Sequence, residues 1–341
     1  MDSEAMQPGG KKAGPITMEM VARIAGVSQV SVSRALNHPE KVAPATLARI
    51  NEAIRATGFV PNLVAGALAS RRSGIIAALI PSITNITYSS FLRPFIEAMR
   101  QAGYQIILAE TGFDEQEEAA MVQNLLSRQP EGILLTGVNH SPDCRRMLLG
   151  AGLPVVEVWD TSESPIDISV GFSHVETGRA MARFAWQRGY RQAGVLTAPD
   201  QRALRRKDAF CSEFIALGGA APVEHVCEGS ASIKNGREGL AGLMRNGFTS
   251  GVIQCSSDLF AHGVLIEAQA RSLKVPGDVA VIGFGDMDFA AHTVPKLTTV
   301  RVDRDVLGHT AADALLKRIG GHRLTDSTID VGFKVIGRQS A

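Results

Sequence analysis

Between Thr17 and Phe59, apolar residues recur at helical intervals in three short stretches separated by polar punctuation. Met18, Val21, Ala22 and Ala25 make one stripe. Val32, Ala35 and Leu36 make a second, and Leu47, Ile50 and Ile54 a third. Thr17 and Ser28 stand where a hydroxyl can accept an orphan N–H of a first helical turn. Gly26 supplies the left-handed turn that ends the first helix, Pro44 suits the first turn of the third, and Gly58 stops it. Phe59 and Val60 are expected to close the small core. A helix, a tight glycine turn and a second helix over Gln29–Leu36 make the helix-turn-helix pattern. With Val32, Ala35 and Leu36 turned inward, Gln29, Val30, Ser33 and Arg34 remain outside. That surface suits base edges: glutamine pairs with adenine, arginine with guanine, and valine packs on a thymine methyl.

The next stretch, NLVAGALASRRS, is small and apolar, with Asn62 able to cap a helix carrying Leu63, Val64, Ala65, Ala67 and Leu68. A helix of this length is marginal in water and needs something to pack against. A partner chain or a DNA groove would serve, with Leu68 as the side chain that wedges a base step in the minor groove.

From Gly74 the texture changes. Strand-length apolar runs (74–81, 104–110, 131–137, 153–160, 167–172) alternate with helical patterns over 91–103 and 115–129. After His174 the pattern restarts, with helices over 176–188, 204–217, 235–245 and 258–271 between strands at 192–198, 223–227, 251–255 and 279–284. Uniformly apolar strands between helices imply parallel sheets covered on both faces. The length suits two doubly wound lobes with a boundary near Phe172–Glu176 and a ligand cleft at the strands' carboxyl ends.

Charge sharpens the division. The chain is near neutral at +1, but residues 1–73 hold nine Lys/Arg against five acidic residues, and the remainder holds 26 against 29. The excess of positive charge sits where phosphates would be bound. Cys144, Cys211, Cys227 and Cys255 show no metal-ligand spacing, and the eight histidines include no His-x-x-x-His pair. Neither a metal nor a cofactor is expected, and His174 is read as structural. Residues 1–15 are polar, with no apolar core of a signal peptide, and are expected to be a disordered tail. No apolar run reaches membrane-spanning length, so a cytoplasmic protein with reduced thiols is expected. Enzyme readings fare poorly: GFGD is not a G-x-G-x-x-G fingerprint, and no G-x-S-x-G or phosphate loop appears. The remote alternative is a sugar-acid-processing enzyme fused to a DNA-binding head, using carboxylates such as Asp286 and Asp288.

VARIAGVSQVSVSRALN, GFVPNLVAGALA, PSITN and VAVIGFGD occur in this order. By these motifs the chain resembles the lactose/galactose repressor (LacI/GalR) family over about residues 16–338. The resemblance implies an all-α DNA-binding head joined to an α/β, periplasmic-binding-protein-like sensor of two doubly wound parallel-sheet lobes with three crossovers. The domains expected are the tail (1–15), the helix-turn-helix head (16–60), a hinge helix and linker (61–73), an N-terminal lobe (74–173 with about 303–338) and a C-terminal lobe (174–302). It also implies a homodimer on a near-palindromic operator. Because the chain has no C-terminal heptad segment, a dimer is expected rather than a tetramer.

The DNA-facing set is then Thr17, Ser28, Gln29, Val30, Ser31, Ser33, Arg34, Asn37 and Lys41, with Asn62, Ala65 and Leu68 in the hinge. Similarity to the family places Pro81, Ser82, Asn85, Asp160, Phe172, Arg206, Ser257, Asp258, Phe284 and Asp286 at the effector. Sugar-binding relatives carry an acidic residue where this chain has Gly285. Arg202, Arg205, Arg206 and Lys207 form a basic run, and trading a carboxylate for cations favours an anionic ligand held by charge-assisted bonds. Arg202 and Arg206 are the candidates. PSITN, VVEVWD…PIDISVGF and VPGDVAVIGFGD resemble the gluconate-utilisation repressors, which implies gluconate or a related sugar acid as inducer. The alternatives on the same fold are a neutral sugar inducer and a purine-like co-repressor.

Overall fold

The computed structural model describes residues 16–61, 72–112 and 115–341. The expected tail and the hinge residues Asn62, Ala65 and Leu68 lie outside the described residues. The chain divides into two compact units, residues 1–73 and 74–341.

The first unit contains α1 (Met18–Ala25), α2 (Gln29–Asn37) and α3 (Pro44–Thr57), with a short 3-10 turn at Pro39–Lys41. Thr17 Oγ1 accepts from Met20 N at 3.3 Å and Ser28 Oγ from Ser31 N at 3.2 Å, so both caps act as their sequence positions imply. Gly26 and Gly58 adopt φ of 65° and 66°, the left-handed conformation that L side chains avoid. Val21, Ala22, Ala25, Val32, Ala35, Ile50, Ala53 and Phe59 form the core, and Met18, Leu36, Leu47 and Ile54 pack at its edge. Val60 is 82% exposed and does not close this core. It follows Phe59 in extended chain, where consecutive side chains point opposite ways, so only one of the pair can turn inward.

The second unit is built on two parallel sheets. The larger joins β1 (Ile75–Ile80), β2 (Gln105–Glu110), β3 (Gly132–Thr136), β4 (Val155–Val158), β5 (Ile168–Gly171) and β11 (Thr328–Asp330) in the order β11-β5-β4-β3-β1-β2. The smaller joins β6 (Ala193–Thr197), β7 (Val223–Val226), β8 (Gly251–Cys255) and β9 (Val279–Ile282) in the order β7-β6-β8-β9. The central strands are buried except at some ends, whereas every position of the edge strands β2 and β7 is half-buried or exposed. An edge strand has a neighbour on one side only, so the helices cover it incompletely.

Helices α4 (Ile86–Gln101), α5 (Glu115–Leu126), α6 (Pro142–Ala151) and α11 (Arg304–Ile319) belong to the larger sheet. Helices α7 (His174–Gln187), α8 (Gln201–Ala216), α9 (Ile233–Arg245) and α10 (Asp258–Ala270) belong to the smaller. Four helices start earlier than the apolar pattern indicates. Asn85, Ser173, Asp200 and Ser232 cap α4, α7, α8 and α9 at those earlier points, by accepting from Thr87, Glu176, Ala203 and Asn235. The early start leaves Pro94 inside α4, where α11 approaches closely: a Cβ on Gly308 would lie 2.5 Å from the Phe91 carbonyl oxygen. Helix α6 was not anticipated. Its signal is Ser141, which caps Cys144 N, followed by Pro142 in the first turn and Gly152 in the left-handed conformation at the end.

After β9 the chain makes β10 (Thr299–Arg301), enters α11 and β11 in the first lobe, and returns through β12 (Lys334–Ile336) antiparallel to β10. Val281 N then donates to Ser340 O at 2.8 Å. Residues from about 334 therefore lie against the second lobe rather than ending in the first as expected. The physical reason is the free edge of β9, whose N–H needs an acceptor that the returning chain supplies.

Candidate functional site

In the first unit, α2 turns Gln29, Val30, Arg34 and Asn37 to solvent, and Val30 is 64% exposed. A β-branched apolar side chain that open, flanked by glutamine and arginine, has no packing role within the head. Ser33 is half-buried. Ser28 and Ser31 lie hydroxyl to hydroxyl at 3.0 Å, and Asn37 Nδ2 donates to Ser33 O at 2.9 Å. These three polar groups are thus engaged with their own helix. Thr17 and Lys41 are exposed at its margins.

In the second unit a cavity of about 600 Å³ opens where the carboxyl ends of β1 to β9 converge. Of the residues expected there, Pro81, Ser82, Asn85, Arg202, Arg206, Ser257 and Phe284 line it. Tyr88, Thr111, Asn139, Trp159, His174, Gln201 and Ser256 also line it and were not among the expected ligand groups.

Arg206 is the best-determined group. Its side chain is buried, Nη1 lies 2.8 Å from His174 Nδ1, and Nη2 donates to Ser256 O at 3.1 Å. The guanidinium sits 3.8 Å from the Phe284 ring centroid. Burial brings its pKa down to about 10, which still leaves it cationic at neutral pH. His174 Nε2 is 2.9 Å from Trp159 O. Because Arg206 can only donate, Nδ1 is the acceptor, and the ring is neutral with its proton on Nε2, donated to Trp159. Burial first and the Arg206 charge second hold its pKa well below the usual histidine value. His174 thus both holds Arg206 in place and forms part of the cavity wall.

The position of Arg206 depends on a glycine one helix away. A Cβ on Gly178 in α7 would lie 2.3 Å from Arg206 O, so only glycine allows α7 and α8 to approach this closely. Arg202, one turn earlier on α8, donates to the Tyr88 hydroxyl at 2.9 Å and lies 5.7 Å from the Tyr88 ring centroid. Burial raises the pKa of Tyr88, so the phenol stays protonated.

Four expected residues do not line the cavity. Asp160 is buried and paired with Arg205; burial raises its pKa, and the Arg205 charge offsets that only in part. The side chain of its neighbour Trp159 takes the cavity position. Trp159 has φ of 73°, and the backbone twist there turns the strand end by one residue relative to expectation. Phe172 is fully buried among Trp159, His174, Phe284 and Phe333. Asp258 is buried, with Thr299 Oγ1 donating at 2.5 Å and Met287 N at 2.7 Å, and burial moves its pKa up to about 6. Asp286 is paired with Arg301 at 2.5 Å and Arg338 at 2.7 Å. It therefore does not replace the acidic group missing at Gly285. Gly285 has φ of 126°, a conformation that strains any L side chain.

Two buried polar atoms on the lining residues have no hydrogen-bond partner among the described residues: Arg206 Nε and Trp159 Nε1. Both are donors. The two lining carboxylates are already engaged, Asp200 with Ala203 N at 3.0 Å and Glu118 with His140 at 2.8 Å. The cavity therefore offers unfilled donor capacity and two guanidinium groups, a combination that suits an acceptor-rich anion.

Comparison with known proteins agrees with both units. Residues 17–62 match the family described as bacterial regulatory proteins, lacI family, and residues 182–341 match a periplasmic binding protein-like domain. The HTH-type transcriptional regulator GntR of Pseudomonas aeruginosa is 34% identical over 333 residues, covering 97% of each chain. The regulator of the same name from Escherichia coli K12 is 32% identical over 95% of this chain and 97% of its own. A crystal structure of a LacI family transcriptional regulator from Silicibacter pomeroyi superposes with a TM-score of 0.88 at 30% identity, covering 96% of this chain and 99% of the other.

Proposed function

This chain belongs to the lacI family of bacterial regulatory proteins, transcriptional repressors with a ligand-binding domain, and on that premise we propose that a sugar acid of the gluconate class controls its grip on operator DNA. The observation that carries this reading is the charge and donor balance of the cavity. Arg202 and Arg206 supply positive charge, Arg206 Nε and Trp159 Nε1 are unfilled donors, and the carboxylates nearest the two guanidiniums are engaged with other groups, Asp200 capping α8 and Asp160 pairing with Arg205. A carboxylate accepts from guanidinium and indole N–H groups, while the hydroxyl, amide and backbone groups at the strand ends match a polyol chain. A neutral sugar would leave the two guanidinium charges with only the compensation that Asp200 and Asp160 supply, whereas a carboxylate adds a counter-charge in direct contact.

In this reading Gln29, Val30, Ser33 and Arg34 face the bases of a half-site, with two copies of the chain on a near-palindrome. The sugar acid binds at the ends of both sheets and favours one relative arrangement of the two lobes, which lowers operator affinity. The test is calorimetric titration of the full chain with gluconate, 6-phosphogluconate, glucose, ribose and hypoxanthine, paired with operator binding at each saturating ligand. Saturable binding of gluconate that weakens operator binding is expected. Binding of glucose, ribose or hypoxanthine alone would overturn the sugar-acid reading, and tighter operator binding with gluconate would overturn induction.

A further inference from the structure

A cluster outside the proposed effector contacts brings together Glu118 of α5, His140 before α6 and Cys144 within α6. One ligand atom from each lies within 4.8 Å of the others. His140 Nδ1 is 2.8 Å from Glu118 Oε2. On the far side of the ring, Nε2 is 3.3 Å from Oε1 of Glu157 on β4. That approach has the distance of an ion pair without the direction of a hydrogen bond, so Nε2 and Oε1 both remain unpartnered. The His140 side chain is 1% exposed and that of Glu157 is 0%. Glu157 is itself fixed, its Oε2 accepting from Ile166 N at 2.6 Å.

We propose that Glu118, His140 and Cys144 form a binding site for a zinc-class divalent ion, with Glu157 orienting the imidazole from behind. Thiolate, imidazole and carboxylate together are the donor set of zinc rather than of magnesium or calcium. A carboxylate on the second ring nitrogen is the usual partner of a metal-bound histidine, because it fixes the tautomer and raises the basicity of the ligand. Here Glu157 leaves Nδ1 as the ligand, directed toward Glu118. Zinc bonds of about 2.0–2.3 Å put tetrahedral ligand atoms roughly 3.3–3.7 Å apart, so no pair has to close by more than about 1.5 Å. Glu118 and Cys144 sit on the separate helices α5 and α6, with β3 between them in the chain.

A divalent ion binds the deprotonated imidazole nitrogen and the thiolate, so its affinity rises with pH. Three protein ligands leave a fourth position for water, and Glu118 also lines the effector cavity, so the ion would sit in that cavity's wall. The site stands independently of the effector's identity.

The test uses the full chain, freed of metal by chelator and dialysed. Zinc is titrated by calorimetry and cobalt(II) by absorption spectroscopy. Expected are one ion per chain and a cobalt–thiolate charge-transfer band. Cys144→Ser and His140→Gln should each weaken zinc binding at least about 10-fold, with Cys227→Ser as the unchanged control. If Cys144→Ser does not fold, Glu118→Gln carries the same expectation. Failure of the wild-type chain to bind zinc stoichiometrically would overturn the site and leave the cluster a buried ion triad. Unchanged affinity in the Cys144 or Glu118 variant would do the same.

Discussion

Arg206 donates to Nδ1 of His174 across 2.8 Å, and the two side chains fix each other's state. The guanidinium fills the one acceptor on the ring, and the ring passes the remaining N–H to Trp159 O. The cation is therefore held at the back of the cavity by a neutral partner, and its charge remains available to a ligand. Arg206→Ala should weaken sugar-acid binding by at least about 100-fold, since hydrogen bonds to charged groups contribute roughly 1.5–3 kcal/mol each and two are expected. Operator binding in the absence of effector should persist. Titration calorimetry and a filter-binding isotherm measure the two quantities, and an unaltered effector affinity would count against the anion anchor.

The same pair makes a statement about pH. His174 is depressed in the folded protein, so below the ordinary histidine value of about 6.5 the unfolded chain takes up a proton that the native state refuses. Its contribution to stability is complete above that value and declines as pH falls toward the lower folded pKa, by about 1.4 kcal/mol for each pH unit crossed. His174→Gln retains a carbonyl for Arg206 and an N–H for Trp159 but does not titrate. Its melting temperature should fall less than that of the wild type between pH 6.5 and 5. Parallel curves for the two proteins would contradict the neutral assignment.

Gly178→Ala tests how packing reaches the cavity. The added methyl meets Arg206 O at 2.3 Å and Ala209 Cβ at 2.9 Å, so α8 must shift. Overpacking of this kind destabilises by roughly 1–3 kcal/mol, read from thermal or urea unfolding. Because the backbone that moves carries Arg206, effector affinity should fall as well, although no ligand-contacting side chain has changed.

Asp286→Ala separates two roles for a strand-end carboxylate. Its oxygens hold Arg301 in β10 and Arg338 after β12, joining the two antiparallel crossover strands to the end of β9. The expected result is a loss of roughly 1.5–3 kcal/mol in folding stability with effector affinity within about twofold of wild type. A large loss of effector affinity with unchanged stability would restore Asp286 to the ligand.

Arg34→Ala addresses the head. If Arg34 pairs with a guanine edge, specific operator binding should weaken by roughly 1–3 kcal/mol and base preference at one position should relax. A uniform loss on all sequences, together with a shallower salt dependence, would make it a phosphate contact instead.

Much of this protein was legible in the chain itself. Helix caps, glycine turns and strand-length apolar runs depend on residues within a few positions of one another. Thr17, Gly26, Ser28 and Gly58 therefore announce the head, and the alternation of strands with helices announces two parallel sheets. That a cavity would open at the strand ends was also readable, and Pro81, Asn85 and Arg206, indicated by the family resemblance, and Arg202, from the basic run, line it.

The tertiary structure decided which member of each neighbouring pair faces the cavity. Trp159 replaces Asp160 because side chains alternate along a strand and the left-handed backbone at Trp159 resets that alternation, a conformation its residue type does not signal. It also decided which carboxylates are free. Asp258 bonds to Thr299, 41 residues on, and Asp286 to Arg338, 52 residues on. Glu118, His140, Cys144 and Glu157 meet from two helices, a loop and a strand. Sequence sets local conformation through short-range sterics and hydrogen bonds, but a buried charge finds its partner only once distant elements have packed together.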